Sequence, residues 1–139
     1  MSWTCLIPGD PVAKARPRAT IRGGHAAVYT PEKSATWESD AAWTMRREWN
    51  DVTLDEATTV TIDAIFKRPK AMCWKRRPTP RVPHTKRPDA DNIAKATLDA
   101  MQKAGIIRDD SIVHDLTVRK WIASGEDVVG VIVRMEVAT

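Results

Sequence analysis

One stretch limits what this chain can fold into more than any other: Lys86 to Asp110, K-R-P-D-A-D-N-I-A-K-A-T-L-D-A-M-Q-K-A-G-I-I-R-D-D. At about 100° per residue, Ile93, Ala94, Thr97, Ala100, Met101 and Ala104 share one face of a helix, with Leu98 at its border, while Asp91, Lys95, Asp99 and Gln102 share the other. Such a helix must bury its apolar arc against a second layer. Asp89 or Asp91 suits the N-cap, with Asn92 sharing that aptitude, and Gly105 suits the left-handed residue that ends a helix. Ile106 and Ile107 then carry the chain back toward a core. Acid pairs stand at both ends, Asp89 and Asp91 before the helix and Asp109 and Asp110 after it.

The second layer is legible on either side. Thr58 to Phe66 alternates, with Val60, Ile62, Ala64 and Phe66 on one face, as a half-buried strand does. Ile112, His114, Leu116, Val118 and Ile122 alternate with Val113, Asp115, Thr117, Arg119 and Trp121, giving another strand. Gly125 makes a turn, and the β-rich run Val128 to Val137 is expected to fold back on its predecessor as an antiparallel hairpin. Ser2 to Ile7 is a first strand, closed by Pro8-Gly9-Asp10-Pro11. Thr30-Pro31-Glu32 starts a helix with Thr30 as cap, and Trp37, Ala41, Met45 and Trp49 recur along it as a stripe. Trp37, Trp43 and Trp49 are assigned to packing, with dimer contact second. The expected fold is α/β of the α+β kind: one domain over 1–139, a small mixed sheet of about four to five strands, two main helices and a C-terminal antiparallel hairpin.

Charge is unevenly placed. Lys and Arg exceed Asp and Glu by 22 to 18, a weak pointer to a polyanionic partner. The residues 67–88 sharpen it, holding nine cations (Lys67, Arg68, Lys70, Lys75, Arg76, Arg77, Arg81, Lys86, Arg87), five prolines and no acid. A loop this long inside a small domain is uncommon and usually functional or disordered. A second basic run, with Lys14, Arg16, Arg18 and Arg22, reads as an ordered, non-helical arm or as an ordinary solvated loop. Cys5 and Cys73 make no ligand spacing, so neither zinc nor a disulfide framework is expected. No membrane segment is apparent, and a soluble, cytoplasmic protein is expected.

Acids beside so many cations have a chemical reading. Magnesium and manganese take hard oxygen ligands, and two or three carboxylates hold such ions with water positions left open. Bare carboxylates would repel a phosphodiester, so the juxtaposition makes sense if metal bridges acid and phosphate. Lys95, one turn after Asp91, would stabilise charge on the phosphorane or steer a phosphate oxygen. By spacing alone the bland alternative stands beside this: Asp89 and Asp91 as cap, Asp109 and Asp110 as turn, Lys95 as an ion-pair partner of Asp91 or Asp99. An EF-hand is excluded by Ile93 at the fifth position and Ala100 at the twelfth. The DxD of an aspartyl-phosphate phosphatase should follow an apolar strand, not proline and basic residues.

The run P-D-A-D-N-I-A-K-A-T-L-D-A-M-Q-K-A-G-I-I-R-D-D-S-I-V resembles the signature of the RusA family of Holliday junction resolvases, small metal-dependent endonucleases common in phages and prophages. I-P-G-D-P-V-A-K-A-R-P-R and V-Y-T-P at Val28 to Pro31 extend the resemblance more weakly. It implies that Asp89, Asp91 and Asp110 bind metal, with Asp109 a lesser contributor, and that Lys95 is catalytic beside them. It further implies Mg²⁺ as cofactor, with Mn²⁺ substituting, a homodimer, branched DNA as partner, and action inside a bacterial host cell. Phosphate contacts are expected from the arm and from the nine cations of 67–88, with Trp74 a candidate for stacking at the branch point. Two rivals remain: a catalytically silent DNA-binding recombination accessory, and a phosphohydrolase of small substrates.

Overall fold

The computed structural model describes residues 1–15, 18–29, 31–73 and 79–138. Its strands are β1 (Ser2–Pro8), β2 (Arg18–Arg22), β3 (His25–Tyr29), β4 (Thr58–Phe66), β5 (Val82–Pro83), β6 (Val113–Ile122) and β7 (Gly130–Val137). The helices are α1 (Glu32–Glu48) and α2 (Ala90–Lys103), with short 3₁₀ turns at Lys70–Met72 and Asp110–Ile112. Five strands form a mixed sheet in the order β1-β7-β4-β6-β5, and β2 and β3 pair separately. The fold is α+β, as the patterning predicts.

The C-terminal hairpin is not formed. β4 lies between β6 and β7, parallel to the first and antiparallel to the second. Alternation says which face of a strand is buried but not which strand lies beside it. What puts β4 in the middle is burial on both faces: Val60, Ile62 and Ala64 on one, Asp63 and Ile65 on the other. A strand so covered needs a neighbour on each edge, and residues 123–129 are long enough to carry the chain across it.

A single core cluster joins Cys5 and Ile7 of β1, Val60, Ile62 and Ala64 of β4, and Val131, Val133 and Met135 of β7 to Ala41 and Met45 of α1 and Ile93, Leu98 and Met101 of α2. Both helices therefore cover the same face of the sheet. Each fully buried Ile, Val or Met contributes roughly 1.5–3 kcal/mol of transfer free energy. The apolar arc of α2 is buried as its periodicity predicts.

α1 begins one residue later than its sequence suggests: Pro31 holds the cap position and Glu32 is the first helical residue, while Thr30 lies outside the described residues. Ala41 and Met45 are buried, and Trp37 and Trp49 pack partly buried against the core, Trp49 edge-on to Trp3 at 5.4 Å. Trp43 is the exception, 64% exposed. It stands two residues, about 200°, round the helix from both Ala41 and Met45. The basic arm contains a hairpin that the sequence reading missed, turned by Gly23 and Gly24 at φ 56° and 82°, as a two-residue hairpin loop requires. The long basic segment is anchored by its 3₁₀ turn and by β5, which pairs with β6. Among the described residues no helix is long and apolar enough to cross a membrane.

Candidate active site

The acids sit where α2 starts and where the chain returns to it. Asp89 occupies the N-cap position in extended backbone (φ −73°, ψ 150°), but its side chain makes no capping hydrogen bond. Its carboxylate is left exposed. Asp91 is already helical, and its Oδ1 accepts from the Asn92 backbone N–H at 2.9 Å. Two hollows flank this first turn. One, of about 590 Å³, is lined by Arg87, Pro88, Asp89 and Asn92. The other, of about 460 Å³, is lined by Asp91 and Lys95 together with Ala90, Ala94, Leu98, Leu116 and Val118.

The approach to Asp89 is fixed from β6. Lys120 Nζ donates to the carbonyls of Lys86 and Pro88, both at 2.7 Å. The Arg87–Pro88 bond is cis. The sequence reading overlooked Lys120, although a lysine among Leu116, Val118 and Ile122 on the core-facing side of a strand was a signal. His84 is held alongside, its ring stacked on Phe66 at 4.4 Å.

The return is made as the glycine suggests. Gly105 has φ +76°, its N–H donates to Gln102 O, and the Ile106 N–H donates to Met101 O, the paired bonds of a Schellman stop. Leu54 then clamps the returning segment through hydrogen bonds with Ile106 and Arg108, and Arg108 pairs with Asp55. From Lys103 back to Lys95 is about 12 Å along the helix axis, within reach of six residues at about 3.3 Å each. Asp110 ends 3.7 Å from Lys95 Nζ. The return is thus to Lys95, one turn beyond Asp91. Among the described residues no three His, Cys, Asp or Glu side chains are gathered around one point.

Asp109 and Asp110 interact with each other. Asp109 also accepts from the Ser111 N–H at 3.3 Å, capping the short turn. Hydrogen bonding to Asp109, then burial, pushes the Asp110 carboxyl above its usual range, with Lys95 opposing. The same bond, with that from Ser111, holds Asp109 below its own. Two carboxylates competing for one proton are also a place where a divalent cation replaces the proton favourably, so the donors fit a hard cation in kind.

The cations divide into two groups. Lys67, Lys70, Lys86 and Arg87 are exposed. Arg68 is not a surface cation: it is 7% exposed, with Nε donating to Met72 O at 2.8 Å and Nη1 to Pro80 O and Ala123 O at 2.9 and 3.0 Å. These bonds tie the basic segment to the end of β6, a structural role that the sequence reading did not give it. Arg81 is paired through Nε and Nη2 with the two carboxylate oxygens of Asp127, at 3.1 and 2.8 Å. Lys14 bridges Glu38 and Asp99, each at 3.2 Å, and so is not a free arm cation either. Arg18 and Arg22 lie on β2. Arg16, Trp74, Lys75, Arg76 and Arg77 lie outside the described residues.

A mixed α+β fold with exposed carboxylates and a lysine at one helix head, next in sequence to the exposed Lys86 and Arg87, has the make-up of an enzyme site for an anionic substrate. The comparisons give the particular group: the family described as endodeoxyribonuclease RusA matches residues 8–136, and the chain belongs to that family. It is similar to the crossover junction endodeoxyribonuclease RusA of Aquifex aeolicus (strain VF5), 27% identical over 125 residues, covering 90% of this chain and 83% of the relative. It is also similar to the uncharacterized protein YqaN of Bacillus subtilis (strain 168), 29% identical over 120 residues, 83% and 84% of the two chains.

Proposed function

We propose that the protein is a divalent-metal-dependent endonuclease that resolves Holliday junctions by paired phosphodiester cleavage. The observation that carries the reading is the return of Asp110 to Lys95, in the hollow's neighbourhood that Asp91 opens and next to the exposed Lys86 and Arg87. Family membership supports the nuclease chemistry.

Asp89, Asp91 and Asp110, assisted by Asp109, would hold Mg²⁺, or Mn²⁺ in its place. When bound, the ion supplies Lewis-acid stabilisation of the phosphate and a more acidic water as nucleophile. The chain's own residues do the rest. Lys95 presents an ammonium where negative charge grows on the phosphoryl oxygens, and one positioned donor of this kind is worth roughly 10²–10³ in rate. Exposed Lys67, Lys70, Lys86 and Arg87 bind backbone phosphates, so binding weakens steeply with salt. Two copies in a homodimer would offer two equivalent sites for the two opposed strands of a four-way junction.

The test is cleavage of a synthetic four-way junction against linear duplex, with and without Mg²⁺, by wild type and Asp89→Asn. The variant should bind the junction as well as wild type or better and fail to cut it. Unchanged cleavage by Asp89→Asn would sink the metal assignment. Binding without cleavage by wild type would make the protein a silent accessory, and turnover of a phosphomonoester with indifference to DNA shape would make it a small-substrate phosphohydrolase.

A further inference from the structure

We infer that Lys14 and Asp99 are positioning residues that aim Lys95 at the reacting phosphate, an inference that rests on Lys95 acting there. The two oxygens of Asp99 are shared between two lysines: Oδ2 faces Lys14 Nζ at 3.2 Å, and Oδ1 faces Lys95 Nζ at 3.2 Å. Lys95 in turn reaches Asp110 at 3.7 Å. With Glu38 at 3.2 Å from Lys14, the side chains form a line of alternating sign, Glu38, Lys14, Asp99, Lys95, Asp110, running from α1 to the 3₁₀ turn.

The line is anchored at its inner end and open at its outer one. The Asp99 side chain is 17% exposed, that of Lys95 53%. Lys14 is fixed from its backbone, whose N–H donates to Asn92 O at 3.0 Å, and the next residue's N–H donates to Ser34 Oγ at 3.2 Å. The arm is therefore strapped to the same first turn of α2 that carries Asp91.

Why Lys95 needs this follows from its freedom. A held lysine loses more in rotamer entropy than one exposed i,i+4 ion pair returns. Asp99 alone would not hold it. Were both Asp99 oxygens free, they would also draw the ammonium back along the helix surface. Lys14 occupies one of them, which leaves Lys95 a single anchor and turns its remaining donors toward Asp110. The bland reading, a stabilising surface network, accounts for the pairs but predicts effects on stability, not on the chemical step.

The experiment measures the single-turnover cleavage rate of a four-way junction at saturating enzyme in Mg²⁺, junction affinity in EDTA, and Tm, for Lys14→Met, Lys14→Arg, Asp99→Asn, the Lys14→Met/Asp99→Asn pair, and Lys95→Ala. Lys14→Met and Asp99→Asn should each slow cleavage by about 10- to 100-fold, the cost of misplacing a reacting group by about an ångström, with affinity nearly unchanged. The double variant should be little slower than either single one, because both act through Lys95. Lys14→Arg should restore most of the rate. Should Lys14→Met fold poorly by Tm, the isosteric Asp99→Asn carries the test. The inference falls if Lys95→Ala is inactive while Lys14→Met and Asp99→Asn cut at the wild-type rate, or if they lose affinity and rate together. If Lys95→Ala itself cuts normally, the reading of Lys95 falls first and this inference with it.

Discussion

Arg68 gives the sharpest separation between a cation that binds DNA and one that builds the protein. Its guanidinium donates to three carbonyls, Met72, Pro80 and Ala123, from a position 7% exposed. Arg68→Ala removes all three. A hydrogen bond to a charged group contributes about 1.5–3 kcal/mol, but the losses do not add, because two of the acceptors lie in the basic segment and regain water when it opens. A net cost of about 2–4 kcal/mol follows. Unfolding entropy of about 2.1 cal/mol/K per residue comes to about 0.29 kcal/mol/K for 139 residues, so Tm should fall by roughly 7–14 °C. The assay pairs this melt with the salt dependence of junction binding, measured well below the variant's Tm. A cation on a phosphate contributes about 0.9 to the slope of log K against log salt. Arg68→Ala should leave that slope in place, whereas Lys70→Ala, at an exposed position, should lower it by about 0.9 with Tm unmoved. A wild-type Tm for Arg68→Ala combined with a reduced slope would refute the reasoning and return Arg68 to the proposed phosphate contacts.

The other predictions concern acid and thiol. Pairing with Arg81, then the Ser124 N–H at 2.7 Å, holds the Asp127 carboxyl well below the usual carboxylate range. A depressed native pKa means that the unfolded chain takes up the proton first, so this stabilisation is present above about pH 4 and is lost as pH falls below it. The Tm gap between wild type and Asp127→Asn should therefore be largest near pH 7 and shrink below pH 4; a gap constant down to pH 2 would contradict the pairing. Burial, then the charge of Glu48, pushes the Cys5 thiol up to about 11, while Cys73 is exposed. A thiol reagent at pH 8 should label one cysteine in the native protein and the second only after denaturation.

Much of the site was readable because its frame is local. α2 declares itself by a repeated apolar arc, and Gly105 stops it with bonds that span only a few residues. The path of Asp110 back along the helix follows from that stop, though its end at Lys95 rather than Asp89 depends on the clamp from Leu54, far off in sequence. What was not readable is partnership across the fold. Lys14 and Arg68 look like phosphate contacts because charge is visible in a sequence and the carboxylate or carbonyls that consume it are not. Asp99 showed only its i,i+4 neighbour and not the second lysine on its other oxygen. Asp63 sits on the polar side of an alternating strand, yet it is buried beneath Arg134, Arg119 and Trp121, whose Nε1–H donates to it at 2.8 Å. The β6–β7 hairpin failed for the same reason, since adjacency in sequence stood in for adjacency in space.

The place of β7 has a consequence for the order of assembly. It pairs with β1 along Ser2 to Pro8 and with β4 along Thr58 to Ile65, and β1 and β4 have no edge in common. The two are joined into one sheet only through Gly130–Val137, the last of the described strands in sequence, which lies beneath the helices. Pairings of such long separation form slowly, in milliseconds to seconds, because loop entropy is lost before contacts repay it. The sheet on which the head of α2 packs, with Asp89, Asp91 and Lys95, is therefore complete only once β7 has docked.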